Sequence, residues 1–160
     1  MKRQIFPGIV LIGFGLYFFL QKFTTPIPVY VFSWPTILLI VGVALLIQAY
    51  RGGEFQLIVP GVLLVGLGVH FHLAQQRNIQ FDLIGVIILF LALGFFLAAK
   101  KTKSSAIYSW IFVGVALIQL FNAKLFSFLQ LTPEQIDSFQ SLWPIILIII
   151  GSFLFFFKKN

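Results

Sequence analysis

The residues in this chain with the most obvious capacity for chemistry are His70, His72, Arg77 and Asp82, gathered near one end of an apolar run. His70 and His72 are the only histidines. Two residues apart on a helix, they point about 200° from each other, so they do not grip one metal ion as an i, i+4 pair would. Asp82 is the acid nearest a membrane boundary, and an ionisable residue inside a span is a functional candidate by default. It follows the polar stretch Gln75-Gln76-Arg77-Asn78, however, which favours a helix cap or a partner for Arg77 over a proton relay. Gln48, Gln119 and Asn122 stand near helix ends and read as headgroup-facing. Ser109 has no histidine or acid in its own run, and no paired carboxylates stand at helical spacing inside an apolar run. There is no cysteine, hence no thiolate chemistry. The residue types point away from an enzyme, and no catalytic, cofactor or metal site is expected.

The elements that carry these residues follow from composition. The chain has 160 residues, 60% hydrophobic and 9% charged, against roughly 45–50% and 25% in a soluble globular protein. Its eleven basic residues form no stripe suited to nucleic acid. They cluster at the ends of apolar runs, as expected where positive charge is retained on the cytoplasmic side of a membrane. The first run, Ile5 to Leu20, follows a basic start but no small-x-small cleavage site follows it, so it reads as a retained transmembrane helix rather than a signal peptide.

Two short patterns recur. Pro7-Gly8 through Gly13 and Gly15 returns 53 positions later as Pro60-Gly61 through Gly66 and Gly68, and a weaker copy runs from Tyr108-Ser109 through Gly114 and Ala116. Trp34-Pro35 through Gly42 returns as Trp143-Pro144 through Gly151, 109 positions on. Gly8 with Gly15, Gly61 with Gly68, Gly85 with Ala92 and Ser109 with Ala116 are each seven residues apart, which keeps them within about 20° of one helix face. In lipid such small residues let helices approach closely, where no hydrophobic drive brings them together. A phosphate-cradling role would need a strand before the glycines and a helix after them; here they lie within apolar runs. Trp34-Pro35 and Trp143-Pro144 open helices at the interface, the proline in the first turn and the tryptophan at headgroup level.

These patterns predict an all-α membrane protein: one integral membrane domain over 1–160, six transmembrane helices in three hairpins (1–50, 55–99 and 105–160). Polar connections are expected at Ala74–Gln80, Lys100–Ser105 and Asn122–Ser141, the last with a short interfacial helix at about 133–141 begun by Thr132-Pro133-Glu134-Gln135. Lys2, Arg3, Arg51, Lys100, Lys101, Lys103, Lys158 and Lys159 fall on one side and Lys22, Arg77 and Lys124 on the other, so both termini are expected in the cytoplasm.

The paired signature, Pro7-Gly8 through Gly15 followed by Trp34-Pro35 through Gly42, resembles the LiaI/LiaF-like transmembrane region of Gram-positive bacteria. That resemblance implies a role in cell-envelope stress responses, where the LiaF type restrains a membrane histidine kinase. The chain ends directly after the sixth apolar run, without the soluble C-terminal domain of the LiaF type, and no functional residue of the family is carried onto it. The expected function is a non-enzymatic component of envelope stress sensing in the bacterial cytoplasmic membrane. Its expected partners are the lipid bilayer, a membrane protein such as a sensor kinase, and further copies of itself, with no nucleic acid. The alternative is a small transporter or channel with Asp82 near its outer mouth, since repeated hairpins also build those proteins.

Overall fold

A computed structural model describes residues 5–22, 28–77, 82–103 and 107–128, and positions 145, 148, 149, 151 and 152. Among these the chain is all-helical. Its α-helices are α1 (Phe6–Gln21), α2 (Trp34–Gly52), α3 (Ile58–Arg77), α4 (Leu83–Thr102) and α5 (Ile107–Phe128), with 3-10 turns at Val29–Phe32 and Phe55–Leu57. Three stretches are long and apolar enough to cross a membrane: Trp34–Gly52, Phe55–Gln75 and Leu83–Thr102. At 1.5 Å per residue, 19 to 21 residues rise about 30 Å, the thickness of a hydrocarbon core. Phe6–Gln21 and Ser109–Phe121 are shorter apolar helices.

Local sequence explains most of the boundaries. Pro7 and Pro35 lie in the first turns of α1 and α2, where a missing N–H breaks no helical bond. α2 stops at Gly53, which takes the left-handed conformation at φ 72° that a residue without Cβ adopts freely. α4 stops in the same way at Lys103, at φ 53°, where the backbone N–H donates to the Ala99 carbonyl. The described residues of two expected connections, 74–77 and 122–128, are helical instead. α3 runs on to Arg77 and α5 to Phe128, because Ala74-Gln75-Gln76-Arg77 and Asn122-Ala123-Lys124-Leu125 contain no proline or glycine and are rich in good helix formers. Polarity made them look like loops; propensity decides otherwise. The Lys100–Ser105 connection is likewise shortened, since α4 continues to Thr102.

The chain divides into two compact units, Met1–Leu120 and Phe121–Asn160. In the first, sequence-adjacent helices pack antiparallel. Its best-packed region lies where α2, α3 and α4 meet, around Ala49, Ile58 and Val62 with Leu46, Phe55, Phe90 and Leu97 against them. Outward from it, large apolar side chains are exposed on every helix of the unit, among them Leu11, Val43, Val69, Leu93, Phe96 and Trp110. A surface of that kind suits lipid and not water. In the second unit α5 continues to Phe128, and the described positions Ile145, Ile148, Ile149, Gly151 and Ser152 are helical and exposed. The short helix expected at 133–141 and the Trp143-Pro144 pair lie outside the described residues.

Candidate functional site

Glycines bring α2 and α3 together. A Cβ placed on Gly42 of α2 would stand 2.7 Å from the Val65 backbone nitrogen and 3.0 Å from the Gly61 carbonyl oxygen, so here backbone meets backbone. From α3, Gly61 faces Leu46 and Gly68 faces Leu39 and the Pro35 carbonyl. Gly61 and Gly68 therefore share one face, and that face lies on α2. Gly66 points elsewhere, under the ring of Phe90 on α4, and Gly94 of α4 sits on the Val59 backbone.

Elsewhere the small residues are distributed unevenly. Gly13 of α1 meets Ile40 of α2, while Gly8 and Gly15 have nothing within 4 Å of an added Cβ. Gly85 meets Leu120 of α5, and Ala92, Ser109 and Ala116 are buried. Ala92 and Ser109 line an apolar cavity of about 380 Å³ between α4 and α5, together with Phe96 and Trp110. Phe95 stacks on Phe112 and Phe96 meets Trp110 edge-on across these two helices, with ring centroids at 5.2 and 6.5 Å. Gly114 is exposed with nothing within 4 Å.

At one end of the bundle a polar network closes on Gln48, whose place near a helix end predicts a headgroup-facing side chain. Gln48 is buried, and its Oε1 accepts from the backbone N–H groups of Ile5 at 2.7 Å and Phe6 at 3.0 Å. Its Nε2 donates to Glu54 Oε1 at 2.8 Å. Helix α1 has no side-chain cap of its own at Ile5, and Pro7 has no N–H to satisfy. Gln48 thus supplies from α2 the N-terminal cap that α1 lacks, and Glu54 fixes the orientation of its amide. At the same end Lys101 Nζ of α4 lies 5.2 Å from the Tyr50 ring centroid of α2. The signal available in sequence was a glutamine one turn inside an otherwise apolar helix.

The opposite end holds the histidines. His72 Nε2 lies 3.0 Å from Thr36 Oγ1, and that hydroxyl also donates to the Val31 carbonyl. His70 is buried and meets the Phe71 ring edge-on at 5.4 Å, and Phe71 in turn packs on Trp34 at 4.6 Å. Trp34 is exposed beside the buried Pro35. Asp82 caps α4, accepting from the Gly85 N–H at 2.9 Å, as its position predicted. Arg77 is the last residue of α3. The two histidines and Asp82 are drawn into separate interactions, and among the described residues no group of three or more histidines, cysteines or acids is arranged to hold a metal.

The helices that form these seams coincide with a known domain. Residues 6–105 match the LiaF transmembrane domain. The chain belongs to the LiaF transmembrane-domain family. No curated protein and no solved structure matches it. The match covers α1 through α4 and stops before α5, so it includes the α2–α3 seam, the Gln48 network and both histidines. The LiaF transmembrane domain and the three long apolar helices make this a membrane protein, from a regulatory family tied to the envelope stress response.

Proposed function

We propose that this chain is a multi-pass protein of the bacterial cytoplasmic membrane that takes part in envelope stress sensing without catalysing a reaction. It acts as a regulatory or scaffold component through helix–helix contacts with a membrane partner such as a sensor kinase. In this reading the chain makes six spans as three hairpins, with Arg51, Lys100, Lys101 and Lys103 on the cytoplasmic side together with both termini. Trp34-Pro35 and Trp143-Pro144 anchor the outer interface.

The observation that carries the reading is the family match over helices whose polar groups serve packing and capping. Gln48 caps α1, Asp82 caps α4, and Thr36 joins His72 across the α2–α3 seam. What the LiaF transmembrane domain offers a partner is apolar helix surface, because these contacts use the polar groups internally. The channel alternative has less support: Asp82 is an exposed helix cap at the start of α4.

Two measurements test this. Reporter fusions after Gly53 and after Lys103 are expected to read cytoplasmic and fusions within 23–27 and 78–81 external; the reverse pattern overturns the topology. Co-purification in mild detergent, with and without a cell-wall antibiotic, is expected to recover a membrane kinase with the chain. Recovery of the chain without any membrane partner under both conditions overturns the regulatory role.

A further inference from the structure

The cavity of about 380 Å³ between α4 and α5 is built wholly from residues of Met1–Leu120. It opens at the surface: Leu93, Phe96 and Trp110 line it and are themselves 44%, 41% and 66% exposed. Its walls are apolar apart from Ser109 and the Trp110 indole. Water needs several polar partners to occupy such a space, so hydrocarbon is what fits it.

The charge beside the cavity selects among hydrocarbons. Leu89 and Phe96 in the cavity wall are seven residues apart, as are Leu93 and Lys100, and that spacing keeps each pair within about 20° of one helix face. Lys100 therefore stands on the cavity side of α4, and Lys103 follows at the end of the helix; both are exposed. Lys101 is turned to α2 instead, with Nζ 5.2 Å from the Tyr50 ring centroid. The acids of Met1–Leu120 are elsewhere. Glu54 takes the Gln48 amide, and Asp82 caps the opposite end of α4. From Leu89 to Lys100 the helix rises about 16 Å, and one leaflet is half of a ~30 Å hydrocarbon core. Cavity and lysines are thus spaced like the acyl chain and the headgroup of one lipid.

We infer that the α4–α5 cavity binds an anionic phospholipid, with an acyl chain against Ala92, Phe96 and Trp110 and the phosphate held by Lys100 and Lys103. Basic pockets between membrane helices take anionic headgroups in this way, and an apolar slot below the charge adds a contact that a bare cluster of lysines lacks. The inference rests on the reading of the chain as a membrane protein and not on its role in stress sensing.

Trp110 reports on its own site. With Trp34→Phe and Trp143→Phe it is the sole tryptophan of the full-length chain. That chain is placed in phosphatidylcholine vesicles containing either phosphatidylglycerol or phosphatidylcholine with brominated acyl chains, which quench indole fluorescence on contact. Brominated phosphatidylglycerol is expected to quench Trp110 at lower mole fraction than brominated phosphatidylcholine. Lys100→Gln is expected to lower that preference about fivefold, as for about 1 kcal/mol per lysine at an anionic surface, and Lys101→Gln by less than about twofold. Val113→Phe fills the cavity and is expected to remove the preference with all lysines present; where it lowers the melting temperature, Leu89→Phe makes the same test from α4. The inference is overturned if the two brominated lipids quench equally. It is also overturned if neither quenches, which would mean that another helix, such as the sixth apolar run, covers the cavity. A preference that survives both cavity-filling variants, or falls as much with Lys101→Gln as with Lys100→Gln, would reduce the site to general surface charge and overturn it too.

Discussion

Helices α1 and α3 carry the same glycine frame and have different fates. In α3 every glycine is in use: Gly61 and Gly68 take α2, and Gly66 takes the Phe90 ring of α4. In α1 only Gly13, the counterpart of Gly66, meets a neighbour, and it is the following helix in both cases. The face that α3 turns to the preceding helix is the face α1 leaves open. A small-residue seam in a membrane helix is thus a capacity for close approach, and whether it becomes a contact depends on a second surface of matching relief. The helices also differ in how they are held. α3 is locked by backbone proximity to α2, whereas α1 is tied to α2 by Ile40 over Gly13 and by the Gln48 cap.

That contrast breaks first, and most strongly, at Gly42. Its neighbours are the Val65 nitrogen and the Gly61 carbonyl, which cannot move aside, so Gly42→Val should force α2 and α3 apart and destabilise the chain by about 3 kcal/mol or more. Gly8→Val on α1 should stay within about 0.5 kcal/mol of the parent, since nothing lies near it. Unfolding of the two variants in detergent micelles checks the difference; equal losses would mean that α1 and α3 are packed alike.

Gly66→Ala comes next. The Phe90 ring lies 2.3 Å from the added carbon but is a side chain that rotates away, at a cost of about 1–3 kcal/mol. The melting temperature should fall, and Gly114→Ala, in open space, should leave it unchanged.

Gln48→Ala probes the second way of holding a helix. It removes the acceptor for the Ile5 and Phe6 N–H groups and should cost about 1–2 kcal/mol, concentrated on α1. Hydrogen exchange should rise in the first turn of α1 while the α2–α3 seam stays protected; a uniform rise would show that α1 is as integral to the bundle as α3.

The smallest effect is expected from the polar pair in the seam. A double-mutant cycle with Thr36→Val and His72→Phe should give a coupling of roughly 0.6 kcal/mol, typical of a hydrogen bond between membrane helices.

Legibility followed the range of the interaction. Asp82 as the cap of α4, Pro35 in the first turn of α2 and the break at Gly53 are matters of a few neighbouring residues, and the structure has them where local rules put them. Polarity alone misplaces helix ends, at Ala74–Arg77 and Asn122–Phe128, because polar residues with high helix propensity continue a helix past the apolar run. The sequence places Gln48 at the interface, because nothing near it reveals that an uncapped helix start 43 residues away comes within hydrogen-bond reach. Gly42 and Gly94 carry seam contacts that heptad spacing did not single out, since each acts as one close approach to a backbone and not as half of a pair seven residues apart.

By itself, the sequence determined that this chain is helical, that it belongs in a membrane, and which residues are small enough to let helices meet. Composition and periodicity are properties of single segments, and a bilayer sorts segments one by one. Only the tertiary structure decided which glycines are in contact, that Gln48 closes the start of α1, and that His72 bonds Thr36 instead of joining His70 or Asp82. Those choices depend on the register between helices, which is set by the relief of two surfaces at once.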